Sequence, residues 1–182
     1  MKIRLRIIVM AFCLSFSLLI GLTFYATTQF IQFNHTTSQV DKTNRSLTQL
    51  HIIKGLLKDI DLYEKELPYQ VDSNYKRVHN FLGKLSLIDS SIKKYELVAE
   101  EKLEADLTML KSNLALRKSL LRQRVYQPGT LQKSNYDSMY SKLLYESNLY
   151  IDNLIDTKFH ELDAGFSKRD NLQNRASGSI TY

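Results

Sequence analysis

The fold is decided by residues 47–67, which read LTQLHIIKGLLKDIDLYEKEL. Apolar side chains recur in this stretch at steps of three and four residues, which is the spacing of one face of an α-helix. They are Leu47, Leu50, Ile53, Leu57, Ile60 and Leu67. The pattern predicts an amphipathic helix that packs its apolar face against other helices. One position on this face is charged, because Glu64 stands where the next apolar side chain would fall.

An apolar stretch at residues 7–25 precedes this helix. At ~1.5 Å rise per residue it would form roughly 28 Å of helix, which is close to the thickness of the hydrocarbon core of a bilayer. Three basic residues crowd positions 1–6, and the positive-inside rule places that end in the cytoplasm. The sequence therefore predicts a cytoplasmic tail at 1–6 and a transmembrane anchor at 7–25. We expect the anchor to continue into the first helix, with the rest of the chain on the outer side of a bacterial plasma membrane.

A cleaved signal peptide is the alternative interpretation of the apolar stretch. Its apolar core is usually about 7–15 residues long and ends at a small-x-small site. The stretch here is longer, and the best cleavage candidate, Ala26, has the bulky Phe24 two residues before it. The sequence favours an uncleaved anchor, whereas a secreted chain would begin near Thr27. The single cysteine, Cys13, lies inside the stretch and excludes an internal disulfide framework.

A second apolar face runs through residues 75–126 and is too long for a compact single helix. Its members are Val78, Phe81, Leu85, Ile88, Ile92, Tyr95, Ala99, Leu103, Leu107, Leu110, Leu114 and Leu121. A lone helix of this length would have nothing on which to bury its face, so two antiparallel helices are predicted. We expect the chain to fold back between Ser90 and Glu101, since Lys93 and Lys94 suit a helix C-terminus.

The last helix is predicted to start near Ser134, after the break at Pro128, and to fade near Arg169. Its apolar positions are Tyr136, Tyr140, Leu144, Ile151, Ile155, Phe159, Leu162 and Phe166. The sequence thus predicts an all-α protein, in which a transmembrane helix continues into an antiparallel four-helix bundle with long outer helices and a short inner hairpin. The bundle is assigned to residues 26–170, and residues 171–182 are interpreted as a polar linker towards a second membrane span.

The composition excludes several classes of function. With 6 Gly and 2 Pro, the chain has too few turn residues for an all-β fold. The 4 histidines lack metal-ligand spacing, and the sequence contains no P-loop, Rossmann or nucleophile-elbow motif. We expect no enzyme activity, cofactor or metal site. The net charge of +6 includes three basic residues of the tail, and the remainder is too dispersed for a nucleic-acid surface.

Two groups of residues are candidates for function. Glu64 and Arg117 are both charged residues on apolar faces, where a charge is costly unless it is paired, so we predict that they form a buried ion pair. The alternative is that one or both side chains rotate outwards or extend to solvent. The turns at Pro68 and Pro128 would share the membrane-distal tip. A basic and aromatic surface is predicted there for a small anionic or aromatic ligand or a partner protein. It comprises Tyr63, Tyr69, Tyr75, Lys76, Arg77, Arg122, Arg124 and Tyr126. The alternative explanation is structural: Arg122 and Arg124 stabilise the dipole at the C-terminus of the third helix, and the tyrosines cover the end of the core.

The stretch Leu56–Glu64, with its acidic residue at the end of a leucine-rich face, resembles the end of the first helix in the third class of CHASE extracellular sensor domains. Glu161, Leu162 and Arg169 resemble the end of the fourth helix in that class, while Pro68 stands near the place of its usual Arg. The four-helix domains of chemoreceptors look similar. The resemblance implies a homodimeric sensor domain, followed by a second span and an output module such as a histidine kinase.

The sequence therefore predicts the input region of a bacterial transmembrane receptor, truncated before its second span. The alternative is a complete single-pass tether, anchored in the lipid bilayer through residues 7–25, whose bundle binds a partner protein.

Overall fold

The computed structural model describes the backbone of residues 2–66, 75–99, 105–126 and 133–178. These residues form four α-helices and contain no strand. The helices are α1 (Lys2–Glu66), α2 (Tyr75–Ala99), α3 (Ala105–Tyr126) and α4 (Lys133–Gly178). With 65, 25, 22 and 46 residues, the outer two are long and the inner two short. The predicted all-α fold class is confirmed, as is the prediction that the outer helices are longer than the inner two.

Helix α1 is uninterrupted from the apolar stretch into the amphipathic face. Threonine, which disfavours helix interiors, is accommodated because its hydroxyl donates to the carbonyl four residues earlier. Thr23 and Thr27 make such bonds at 2.8 Å each, to Leu19 and Thr23. Of the described residues, this helix alone contains a stretch long and apolar enough to cross a membrane, and none of the most apolar part of that stretch is buried within the chain.

Helix α2 ends at Ala99, within the range predicted for the fold-back, between Ser90 and Glu101. Its apolar face continues through Ile92 and Tyr95, which are both buried, so Lys93 and Lys94 lie within the helix and not at its C-terminus. The predicted end of the last helix is wrong. Helix α4 continues to Gly178, well past Arg169, and its buried face is extended by Leu172.

All four helices contribute to one apolar core. The predicted faces of α1, α2 and α3 are buried at every position whose side chain the structure describes, apart from the half-buried Ala99. Helix α4 differs, since only Ile151 and Leu154 join this core. Its predicted member Phe159 is exposed, and the neighbouring Lys158 is buried instead, so the face of α4 is rotated relative to the prediction.

Ion pairs and hydrogen bonds define which helices are neighbours. Helices α2 and α3 are joined by Glu96–Lys111 at 2.7 Å and Asp89–Lys118 at 3.3 Å, so residue numbers fall along one helix as they rise along the other. Lys54 of α1 pairs with Asp152 of α4 at 2.5 Å. Lys84 of α2 pairs with Asp59 of α1 at 3.4 Å. These contacts surround the shared core.

The chain divides into two compact units. One unit, Lys42–Leu162, contains the core described above. The other comprises Met1–Asp41 and Asp163–Tyr182, and within it α1 approaches α4 closely at Gly165. A Cβ atom added to Gly165 would lie 2.8 Å from Cγ2 of Val40, which is too short for ordinary packing. The absence of a side chain at residue 165 therefore permits this approach.

Candidate functional site: a buried polar layer

A buried arginine lies in the core of the unit formed by residues 42–162. Arg117 follows Leu110 and Leu114 on the buried face of α3, and only 1% of its side chain is exposed. The guanidinium reaches the interior because residue 117 occupies a buried position in the helical repeat of α3. Taking such a charge out of water costs several kcal/mol unless it is paired and hydrogen-bonded, so its partners define the candidate site.

The partners of Arg117 come from α1 and α4. Its Nη2 donates to Oδ1 of Asp61 at 2.6 Å and to the hydroxyl of Tyr140 at 2.9 Å. The guanidinium carbon also lies 5.3 Å from the centroid of the Tyr140 ring, within the range of a cation–π interaction. Arg117 therefore joins three helices through one side chain. We call Asp61, Arg117 and Tyr140 the polar layer.

Aromatic stacking extends the polar layer along α4. The rings of Tyr136 and Tyr140 are 6.0 Å apart and nearly parallel, with an interplanar angle of 1°. Tyr136 belongs to a second, smaller apolar cluster with Leu120 and Leu143, against which Tyr140 packs. The stacking fixes the ring of Tyr140 and thereby the position of its hydroxyl beside Arg117.

A second polar contact between α3 and α4 lies one turn before Arg117. The buried Asn113 donates from Nδ2 to Oε2 of Glu146 at 3.1 Å. Ser147, also buried, donates its hydroxyl to the carbonyl of Leu143 within α4 at 2.7 Å. Helix α4 is thus held both by these polar contacts and by its side chains in the two apolar clusters. Polar contacts depend on geometry more strongly than apolar ones, so the position of α4 is sensitive to changes in the layer.

The predicted ion pair of Glu64 with Arg117 stays a prediction. Arg117 is buried and paired, but its described carboxylate partner is Asp61. Glu64 lies in α1, one turn further along, and its side chain falls outside the described residues. The sequence analysis does not single out Asp61. A signal is present in the sequence, because Asp61 follows Ile60 at the edge of the apolar face; in the structure its side chain is 16% exposed.

The predicted surface at the tip falls almost entirely outside the described side chains. Arg122 is exposed on α3. The side chains of the other seven members are not described, namely Tyr63, Tyr69, Tyr75, Lys76, Arg77, Arg124 and Tyr126. This surface remains a prediction.

The polar layer brings one guanidinium, one carboxylate and one phenolic hydroxyl together where three helices meet. Among the described residues no group of three or more His, Cys, Asp or Glu side chains is arranged to hold a metal ion. Comparison with protein-family models, curated proteins and solved structures finds no match to this chain.

Proposed function

We propose that the chain is the extracytoplasmic input region of a bacterial transmembrane signalling receptor. One observation carries the proposal. A single helix, α1, contains both the stretch that is apolar enough to cross a membrane and the face that packs into the core. A change in the packing of α1 would therefore act on the same helix that enters the bilayer.

The four helices are proposed to form an antiparallel bundle in which α1 leaves the membrane and α4 returns to it. Two observations support this arrangement. The pairs between α2 and α3 run in opposite directions of numbering. The same is true of α3 and α4, where Asn113 meets Glu146 and Arg117 meets Tyr140.

Signalling in this proposal is a shift between two packings of similar energy. A stimulus favours one packing only if it binds that packing more tightly, and small shifts at a site become helix movements because packed cores are bistable. The polar layer is suited to this role, since it attaches α4 through hydrogen bonds while α4 contributes few side chains to the apolar core. A homodimer, with the ligand or partner bound at the tip, completes the proposed receptor.

Reading the gene beyond codon 182 is the first test. A second apolar span followed by a kinase, cyclase or chemotaxis module supports the receptor and identifies its output. A stop codon at that point overturns the proposal and leaves an anchored binding protein. The N-terminal residue of the mature protein, read by mass spectrometry, tests the anchor separately, because a chain that begins near Thr27 has lost it.

An anchored tether is the second candidate, and the outer surface of the helices favours it. Several large apolar side chains are exposed outside the apolar stretch, such as Leu97 with 79% and Tyr145 with 68% of its surface exposed. In a tether these side chains would be covered by a partner protein. Leu97→Ser and Tyr145→Ser would then abolish capture of that partner, whereas a receptor would still respond to its stimulus.

A further inference from the structure

The outer side of α3 has a second helical repeat, which faces away from the core. Its members recur at steps of four and three residues, the spacing of a helix seam, and none of them is charged. They are Ala105, Met109, Ser112, Leu116, Ser119 and Gln123. The first five are exposed, and the two large apolar members, Met109 and Leu116, are each about half exposed. No described part of the chain covers this outer seam.

The two neighbouring helices add apolar side chains at the edges of the outer seam. On one side, Leu97 of α2 is exposed and follows directly the glutamate that pairs with α3 at 2.7 Å. On the other side, Tyr145 and Leu149 of α4 are exposed and lie beside Glu146, which accepts the hydrogen bond from Asn113 of α3. The exposed apolar surface therefore extends over three helices, with α3 in the middle, and surfaces of this kind mark interaction sites.

The surface is large enough for a protein partner. Residues 105–123 form about 28 Å of helix at ~1.5 Å per residue. With α3 and the facing halves of α2 and α4, each helix about 10 Å wide, the surface measures roughly 560 Å² on one copy. A contact between two such surfaces buries roughly 1,100 Å², and a specific interface requires about 1,000 Å².

The distribution of charge favours a second copy of this chain as the partner. When two copies pack about a two-fold axis parallel to α3, each residue of the outer seam meets its own counterpart. A charged residue there would meet a like charge, and the outer seam contains none. The exposed positions of α1 differ, since they include Arg45, Lys54 and Lys58.

The edges of the outer seam have opposite charges at the same level of α3. Lys93 of α2 is exposed and lies one turn before the glutamate that pairs with Lys111. Glu146 of α4 accepts from Asn113, two residues further along α3, and forms only a long ion pair, at 3.9 Å, with Lys142 of its own helix. The two-fold axis places α2 of one copy opposite α4 of the other, and it thereby brings Lys93 towards Glu146 across the interface.

We propose that the outer seam of α3 is a dimer interface, on which a second copy of this chain packs in parallel about a two-fold axis. The interface deepens the proposed receptor and rests on it for the shared orientation, because two copies anchored in one membrane through α1 point the same way. The homodimer is thereby assigned to α3 and not to the long outer helices.

Disulfide formation between copies tests the interface in the full-length chain in membranes. Cys13→Ser removes the one native cysteine, and Ser112→Cys or Ser119→Cys then places a single thiol on the outer seam. Each is expected to give a disulfide-linked dimer on mild oxidation, since counterparts on the axis meet within the ~4–7 Å between Cα atoms that a disulfide requires. Thr48→Cys, on an exposed position of α1, is the control and is expected to stay unlinked.

A pair of charged variants tests the self-pairing independently of the thiols. Leu116→Glu and Leu116→Lys each bring two like charges together, so each is expected to weaken self-association by about 10-fold or more. Differently tagged Leu116→Glu and Leu116→Lys chains, produced in the same cells, are expected to co-purify from detergent, because opposite charges then meet. The same changes at Ile52, which is about half exposed on α1, leave self-association unchanged.

Three results overturn the proposal. They are equal cross-linking at residues 48 and 112, self-association that Leu116→Glu leaves unchanged, and a monomeric wild-type chain, including one that retains a different protein on the outer seam. The cysteine variants do not depend on the charged ones and decide the question even if the charged variants fail to fold. The gene beyond codon 182 tests the receptor separately, so a failed interface is distinguishable from a failed receptor.

Discussion

At the scale of the residue, Arg117 is the most consequential side chain of the described structure. It replaces an apolar residue on the buried face of α3 and contacts both α1 and α4. Its partner Asp61 retains some contact with solvent, whereas Arg117 has almost none. The cost of separating the pair therefore depends on which partner remains, since a buried cation left alone is less well solvated than the aspartate.

Removal of the Arg117 side chain is expected to destabilise the fold substantially. Arg117→Ala leaves both a cavity and an aspartate without its partner, and we expect the free energy of unfolding to fall by about 3–5 kcal/mol. Arg117→Met keeps most of the side-chain volume, and we expect a smaller decrease in the free energy of unfolding, because an apolar side chain can replace a buried ion pair at little cost. Chemical denaturation of the two variants measures the difference.

The adjacent Lys118 provides the matched control. It pairs with Asp89 at the surface, where both side chains are substantially exposed. Such pairs contribute about 0–1 kcal/mol, so Lys118→Ala should change stability little. Equal losses in Arg117→Ala and Lys118→Ala would contradict the importance assigned to the polar layer.

At the scale of the element, the apolar positions of α1, α2 and α3 could be predicted from periodicity, while those of α4 could be predicted only in part, as at Tyr136 and Ile151. Leu47, Ile53 and Leu57 follow the helical repeat without interruption and are buried. In α4 the buried positions include Ser147 and Lys158, which a search for apolar side chains passes over. Ser147 satisfies its hydroxyl within its own helix, and Lys158 pairs with Glu161 at 3.0 Å. Polar side chains that have such partners can be buried, but a search for apolar periodicity does not predict their burial.

The candidate site was predictable only in part, for a related reason. The charge of Arg117 on an apolar face indicates a buried pair, but the choice between carboxylates one turn apart depends on tertiary packing. Tyr140 was predicted as an apolar contact, yet its hydroxyl accepts a hydrogen bond from Arg117. Sequence periodicity gives the face on which a residue lies and not the partner that it meets.

The close approach at Gly165 gives a prediction about helix packing. Gly165→Ala would ordinarily stabilise a helix by about 1 kcal/mol, but its new Cβ would meet Val40, whose branched side chain has little freedom in a helix. We expect a net loss of about 1–3 kcal/mol. Amide hydrogen exchange around residues 40 and 165 should therefore accelerate about 5-fold or more, at one factor of ten per 1.4 kcal/mol.

Two further variants distinguish the steric explanation from a general effect of alanine. Val40→Ala together with Gly165→Ala should restore slow exchange, because the smaller side chain makes room for the added methyl. Gly55 of α1 has no such neighbour within 4 Å, so Gly55→Ala should leave exchange unchanged or slow it. Faster exchange in Gly55→Ala would show that the close approach is not the cause.

At the scale of the whole molecule, α1 contains a stretch that is long and apolar enough to cross a membrane. The stretch is exposed along its length within the chain, and an exposed apolar surface of this extent is unfavourable in water. Insertion of the stretch into a bilayer would remove that cost.

Charge introduced into the apolar stretch should release the chain from the membrane. Each arginine of the double variant Leu14→Arg with Leu18→Arg should raise the free energy of membrane insertion by about 2.5–3.5 kcal/mol if it lies at the centre of the membrane helix. We expect the double variant to move from the membrane fraction to the soluble or aggregated fraction after alkaline extraction. Gln32→Arg, an exposed substitution beyond the stretch, should remain with the membrane. Retention of the double variant would contradict the anchor.

The internal hydroxyl bonds of α1 affect how deeply the helix sits in a bilayer. No Asp, Glu, Lys or Arg occurs between residues 7 and 40, and the hydroxyls of Thr23, Thr27 and Thr28 already bind carbonyls of their own helix. Such residues lose few hydrogen bonds on leaving water, since their donors are satisfied on either side of the lipid headgroups. If α1 enters a bilayer, its depth would then be set by a shallow gradient of hydrophobicity and not by a charged side chain between residues 7 and 40, so vertical displacements of a few ångströms would cost little free energy.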